Sequence, residues 1–223
     1  MQHTLDDLQD LTPVQRALLA RLEREERFTE HFYFTGGTLL KALGIVPRES
    51  NDLDFFTFPE VDSRQFRLSW VSMREAIVDV FGRDSFDETD RGFVLREQGM
   101  FVDCIYEMTP LIDKPAAFGA LRTAGIRDIG ASKAGALCSR DELKDYIDIA
   151  FLTKREHWLL ADLERLAEEK YRMGTITEEK LLEELLHKRE LFVVTSDRFI
   201  RNGKENVHLV HDQVDFLLQS TSL

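Results

Sequence analysis

Apolar residues change their spacing repeatedly along this chain, and each change marks a change of element type. Thr12 is a capping residue followed by Pro13 and by Gln15 as a capping-box partner, and Leu18, Leu19 and Leu22 continue as a helical stripe. The pattern predicts a helix ending near Arg27, a strand over 31–35, a helix over 38–43 stopped by Gly44, a loop over 47–51 and a strand over 53–58. Phe66, Trp70, Met73, Ile77 and Phe81 recur at helical spacing and predict a helix over 64–81 with those side chains in the core. From Asp84 to Tyr106 the period shortens towards two, which predicts strands over 85–88, 92–97 and 100–106 with turns at Asp90-Arg91 and Gln98-Gly99. After a connection punctuated by Pro110 and Pro115, helices are expected over 130–138, 141–155, 158–173, 177–188 and 209–218, with a turn at Asn202-Gly203. Strands in the first half and helices in the second predict an α+β fold, a mixed sheet flanked by helices. The expected division is a core over 1–110 and a mostly helical region over 111–223 that packs on it.

Chemistry concentrates between the first two strands. Asp52 and Asp54 are two residues apart, so on a strand their carboxylates project from one face. Two such carboxylates repel unless a cation lies between them, and magnesium is the usual intracellular ion with oxygen ligands. Gly36 and Gly37 stand between a strand and a helix, where backbone amides and the helix dipole favour an anion. Acids and a glycine-lined helix start, close in sequence, suggest a site for a nucleoside triphosphate.

Asp103 lies in a strand that is apolar on both faces and is therefore expected to be central and buried. A buried carboxylate must be paired, protonated or bound to metal. It reads either as an acid bonded to backbone amides or a distant arginine, or as the third acid of one metal site with Asp52 and Asp54. The latter has the logic of two-metal phosphoryl transfer, in which paired ions stabilise the attacking and leaving oxygens. Lys133 is the single charge in the small-residue run 130–138; it reads either as a cation reaching for an anion or as a lysine reaching out to solvent. Arg48 and Ser50 precede the acidic strand, within reach of a nucleotide, although Arg48 has Glu49 and Asp52 as alternative partners. Asp145, near a helix start, serves either the site or the helix dipole. Tyr33, Phe55, Phe56 and Trp70 suit base stacking or, more simply, core packing. His208 and His211 are three apart but lack further ligands for a metal.

Composition narrows the classes. With 223 residues, 43% hydrophobic and 31% charged, the chain is long enough for a proper core and unlike a disordered one. A net charge of −12 argues against a broad nucleic-acid footprint, while leaving room for a nucleotide or one RNA end. The basic stretches at Lys188-Arg189 and from Arg198 to Lys204 read as solvated faces. No apolar run approaches a membrane span, the first ten residues are unlike a signal peptide, and Cys104 and Cys138 sit among small or apolar neighbours. A cytoplasmic protein with reduced thiols is expected.

Taken together, GGT at 36–38, Arg48-Glu49-Ser50-Asn51-Asp52-Leu53-Asp54-Phe55-Phe56 and the later ASKAGAL…R…KDYIDIAFL resemble the nucleotidyltransferase AbiEii/AbiGii toxin family, over roughly 31–152. These are polymerase-beta-like nucleotidyltransferases, many of them toxin halves of toxin–antitoxin or phage-defence pairs. The resemblance implies transfer of a nucleoside monophosphate from an NTP to an acceptor hydroxyl, on an RNA 3′ end such as tRNA or on a protein side chain. It further implies two magnesium ions and a cognate antitoxin. By position, Gly36, Gly37 and Thr38 would hold the triphosphate, Asp52, Asp54 and Asp103 the metal, and Lys133 the phosphate charge, with Asp145 as a further member. Val46-Pro47-Arg48 replaces the Gly-His-Arg common before the acidic strand, and no motif matches beyond about Arg155. A nucleotide-binding toxin component that acts by protein–protein contact, and a structural domain whose acids pair locally, are the competing readings.

Overall fold

The structure, a computed structural model, describes residues 3–195 and 204–220. The expected turn at Asn202-Gly203 and the basic stretch from Arg198 as far as Gly203 lie outside the described residues. The chain divides into two compact units: residues 1–43 with 50–125, and residues 44–49 with 126–223.

The first unit begins with a 3-10 turn, Leu5–Asp7, then α1 (Pro13–Leu22) and α2 (Glu26–His31). The capping box forms as expected: Thr12 Oγ1 accepts from the Gln15 amide at 3.2 Å, and Gln15 Oε1 accepts from the Thr12 amide at 2.9 Å. The single helix expected to reach Arg27 is instead two. The turn after Leu22 redirects the chain so that Phe28 enters the core, where its ring stacks on Phe32 at 5.2 Å and meets Phe55 edge-on at 5.0 Å. Core packing overrides the continuous helical pattern here.

Seven strands follow: β1 (Phe32–Thr35), β2 (Leu53–Thr57), β3 (Phe86–Glu88), β4 (Gly92–Leu95), β5 (Met100–Ile105), β6 (Ala116–Phe118) and β7 (Leu121–Thr123). They form one mixed sheet in the order β3-β4-β5-β2-β1-β7-β6. β2 runs parallel to β5 and β1 parallel to β7; the remaining neighbours are antiparallel. β6 and β7 lie beyond the proline-punctuated stretch expected to be a connection, and at three residues each they are too short for alternation to register. α3 (Gly36–Ala42) follows β1 directly, starting two residues earlier than expected, so both glycines belong to its first turn.

α4 (Ser63–Phe81) is capped by Asp62, whose Oδ1 accepts from the amides of Arg64 and Gln65. Its Phe66 meets Tyr106 and its Trp70 meets Phe93, the register partner of Val102. α4 therefore covers the sheet face that carries Phe93, Val102 and Cys104. Asp54, Asp103 and Phe101 alternate with those residues and project from the opposite face. This corrects the expectation that Asp103 is buried: β5 is central, but Asp103 is half-buried and Phe101 is exposed, because α4 covers only one face. Tyr33 and Phe55 are buried, and Trp70 packs on Phe66 and Phe93, so core packing accounts for all three.

The second unit is helical: α5 (Ile126–Ser139), α6 (Leu143–Glu156), α7 (Leu160–Tyr171), α8 (Glu178–Thr195) and α9 (Lys204–Ser220). α6 is buried continuously from Asp145 to Thr153, the mark of a helix surrounded by others. The small residues of α5 serve close packing. A Cβ on Gly130 would stand 2.6 Å from the Trp158 ring, so only glycine lets that indole lie against the helix. Cys104 and Cys138 are free thiols, and burial pushes both thiol pKa values up. No helix among the described residues is long and apolar enough to cross a membrane.

Several cations are buried in this unit with their partners. Lys170 donates to Asp128 at 2.9 Å, both side chains being almost wholly buried, and Lys188 donates to the Leu137 carbonyl at 3.0 Å near the end of α5. Removing one member of a buried pair strands the other. Asp128→Ala is expected to cost about 3–5 kcal/mol, whereas the double change Lys170→Met with Asp128→Leu should be near neutral. Denaturant titration of the three proteins checks this directly.

Candidate active site

The sequence-predicted residues fall into two groups, one in each unit. In the first unit the structure gathers Gly36, Gly37, Thr38, Ser50, Asp52, Asp54 and Asp103 around the start of α3 and the adjoining ends of β2 and β5. Local chemistry sets the chain before β2. The buried Gln15 amide group donates to the carbonyls of Ser50 (3.1 Å) and Asn51 (2.9 Å). The buried Thr38 hydroxyl donates to the Asp52 carbonyl and shares a 2.9 Å hydrogen bond with the Ser50 hydroxyl. Thr38 and Ser50 thus hold the acidic strand against α3, a role that their polar character alone did not reveal.

Asp54 and Asp103 are register partners on the parallel pair β2–β5, so their side chains leave the same face side by side. Gly36, at φ 81°, lies directly against Asp54: a Cβ there would stand 1.9 Å from Oδ2. Backbone and carboxylate approach more closely than any side chain permits, and the conformation itself favours glycine. Gly36→Ala must displace Asp54. About a hundredfold loss of any reaction that depends on the Asp54 carboxylate is expected from a shift of that kind, with the fold retained. Initial rates together with a melting curve check this.

Asp52 is placed differently from its neighbour. Its Oδ1 accepts from the Phe101 amide at 3.1 Å, which turns the carboxylate towards β5. Asp103 accepts from the Arg91 guanidinium at 3.1 Å, and Arg91 is 65% exposed. Sequence reasoning missed Arg91, which stood only as part of a turn. Such an exposed ion pair is weak and readily exchanged.

These residues suit a magnesium ion. Carboxylate oxygens are its preferred ligands, and it commonly takes one or two of them together with substrate phosphates and water. Among the described residues no three acidic, histidine or cysteine side chains cluster closely enough to form a complete cage. Asp54 and Asp103, with Asp52 adjoining, fit an ion shared with a substrate better than one held by protein alone.

In the second unit, Arg48, Lys133 and Asp145 join Asp148. Arg48 makes two parallel hydrogen bonds to Asp148, at 2.6 and 2.7 Å. Lys133 contacts Asp148 at 2.6 Å and Asp145 at 3.0 Å, and Arg140 closes the chain on Asp145 at 2.6 and 2.9 Å. Burial alone would push both aspartates up, but the surrounding cations hold their pKa values below the ordinary range; burial would likewise lower Lys133, yet the two aspartates raise it. Lys133 does find anions, and they are side chains of its own unit. Arg48 also donates to the Glu49 carbonyl at 3.0 Å, and its carboxylate partner Asp148 lies 100 residues away in sequence, a separation that no local pattern exposes.

Residues 17–104 match the family described as nucleotidyl transferase AbiEii toxin, of type IV toxin–antitoxin systems. This segment is similar to the AbiEii nucleotidyl transferase toxin family. It contains Gly36, Gly37, Asp52, Asp54 and Asp103. An uncharacterized Aquifex aeolicus protein, aq_aa25, is 34% identical over 143 residues, 63% of this chain; the aligned region spans 66% of that protein's length. Two solved Helicobacter pylori structures share the fold. JHP933 aligns with TM-score 0.50 at 18% identity, over 92% of this chain and 89% of its own. A second, described as a "putative nucleotidyltransferase", aligns with TM-score 0.51 at 17% identity, over 92% of each chain.

Proposed function

We propose that the protein transfers a nucleoside monophosphate from an NTP to an acceptor hydroxyl, on an RNA 3′ end such as that of tRNA or on a protein side chain. The observation that carries this reading is the side-by-side projection of Asp54 and Asp103 against the bare backbone of Gly36. Magnesium held by Asp54 and Asp103, with Asp52 adjoining, would supply positive charge for the oxygens on which charge develops. Gly36, Gly37 and Thr38 hold the triphosphate, as the family resemblance implies. Asp103 takes the proton of the acceptor hydroxyl as its oxygen attacks the α-phosphorus. The bond between the α-phosphorus and its bridging oxygen breaks, and pyrophosphate leaves. Ser50 completes the proposed nucleotide set of the first unit, whereas Arg48, Lys133 and Asp145 belong to the buried ion-pair network of the second unit. Two ions, a cognate antitoxin and a toxin role in the cell belong to the same proposal.

The test is incubation with magnesium, each α-labelled NTP and total tRNA or cell protein. Label in an acceptor, with one pyrophosphate released per transfer and complete loss on chelation, is the expected result. One observation favours a second reading, a nucleotide-binding toxin component that acts by contact with little turnover: Asp103 already carries Arg91. Metal-dependent NTP binding without pyrophosphate release would support that alternative.

A further inference from the structure

An exposed aromatic ring stands beside the proposed site, and nothing derived so far uses it. Phe101 is 48% exposed and its ring meets no other aromatic ring among the described residues, unlike Phe28, Phe34, Phe55 or Phe93. It lies two residues before Asp103, so both side chains leave β5 on the same face, roughly 7 Å apart along the strand. Continuing the β2–β5 register, Phe101 falls opposite Asp52, and its own amide donates to Asp52 Oδ1 at 3.1 Å. On its other side its register partner is Val94, on β4. A large apolar ring left in solvent forfeits the free energy that burial would bring. Here the backbone that carries the ring, on a central strand, makes the same hydrogen bond that orients a site carboxylate. The Asp52, Asp54 and Asp103 carboxylates make this a poor seat for an acidic peptide. A planar ring beside a phosphate-handling centre has the chemistry to accept the π-face of a base, which is a sequence-tolerant contact.

We infer that Phe101 is a stacking platform for a nucleobase held beside Asp54 and Asp103. This rests on the transfer reading above. The base belongs either to the incoming triphosphate or to the acceptor nucleotide, and the ring contacts bound substrate in both cases.

The test uses the full chain carrying Phe101→Trp, with the wild-type emission of Trp70 and Trp158 subtracted. It is titrated with magnesium and ATP, GTP, CTP or UTP, with a short single-stranded RNA, and with inorganic triphosphate. Saturable quenching by a base-bearing ligand and none by inorganic triphosphate is expected. A nucleoside triphosphate as the quencher assigns the stacked base to the donor, and RNA as the quencher assigns it to the acceptor. Absence of saturable quenching with both, or equal quenching of Met108→Trp at its exposed position, overturns the inference. In kinetics, Phe101→Ala should raise KM for that same ligand about tenfold, the size of one stacked base, with kcat within about threefold of wild type. An unchanged KM in an active enzyme overturns the stacking role alone. Quenching in a protein that transfers nothing would instead overturn the transfer reading and leave the stacking site standing.

Discussion

Asp148→Ala is expected to unfold the unit made of residues 44–49 and 126–223 before any other single change tested in it. Asp148 is fully buried and carries both Arg48 and Lys133, so its removal leaves two buried cations short of a partner. Breaking one buried pair costs about 3–5 kcal/mol, and two broken at once approach the whole stability of an ordinary domain, about 5–15 kcal/mol. Asp148→Asn keeps the shape and loses the charge, so the same direction with a smaller loss is expected. Glu169→Ala, which removes an exposed partner of Arg127, should leave the melting temperature nearly unchanged. Thermal melts followed by circular dichroism separate these cases; a melting temperature for Asp148→Ala within a few degrees of wild type would refute the account of this cluster.

The same cluster sets the pH dependence. The folded pKa values of Asp145 and Asp148 lie below those of the unfolded chain, so their stabilisation is present above about pH 4 and is lost as pH falls through the lower folded values. Lys133 is raised, so its contribution is complete below the ordinary lysine value and is lost only as pH rises past the folded one. Acid unfolding of this unit should therefore begin below about pH 4 and steepen as Asp145 and Asp148 take up protons, while neutral to mildly alkaline solution leaves it unchanged.

The second large effect concerns chemistry rather than stability. Asp54→Asn retains size and hydrogen-bonding atoms but removes the charge beside Asp103 and against Gly36. A loss of about a thousandfold or more in transfer rate is expected, equivalent to about 4 kcal/mol of barrier. Asp54 is half-buried at the end of a strand, and its change to asparagine relieves repulsion with Asp103, so the variant should melt at or above the wild-type temperature. Rate lost without stability lost is the signature of a group kept for its reaction. Single-turnover transfer and a melting curve on one preparation measure both quantities.

The sequence disclosed most of what local spacing controls and little of what depends on distant partners. Gly36 and Asp54 stood out because a glycine turn and an acidic strand are short-range patterns, and the structure presses one against the other. Asp103 was legible as a lone acid in a strand, yet its exposure depended on which face α4 covers, which alternation within β5 does not reveal. Arg91 lies in a turn and reaches Asp103 only once β4 and β5 pair. The union of Arg48 with Asp148, and the path of the chain before β2 set by Gln15, link residues far apart in sequence, so no window of residues contains both ends. Phe101 was hidden for the opposite reason: a phenylalanine in an apolar strand reads as core until the structure leaves its face open.

The central claim is that Asp54 and Asp103, brought together by the parallel pairing of β2 and β5, act as one unit on one phosphoryl group. A double-mutant cycle on the transfer rate with Asp54→Asn, Asp103→Asn and the two combined tests it most directly. If the carboxylates act together, each single change loses about a thousandfold and the combination loses little more. A double variant whose loss is the product of the two single losses, or an Asp103→Asn enzyme as fast as wild type, would contradict it.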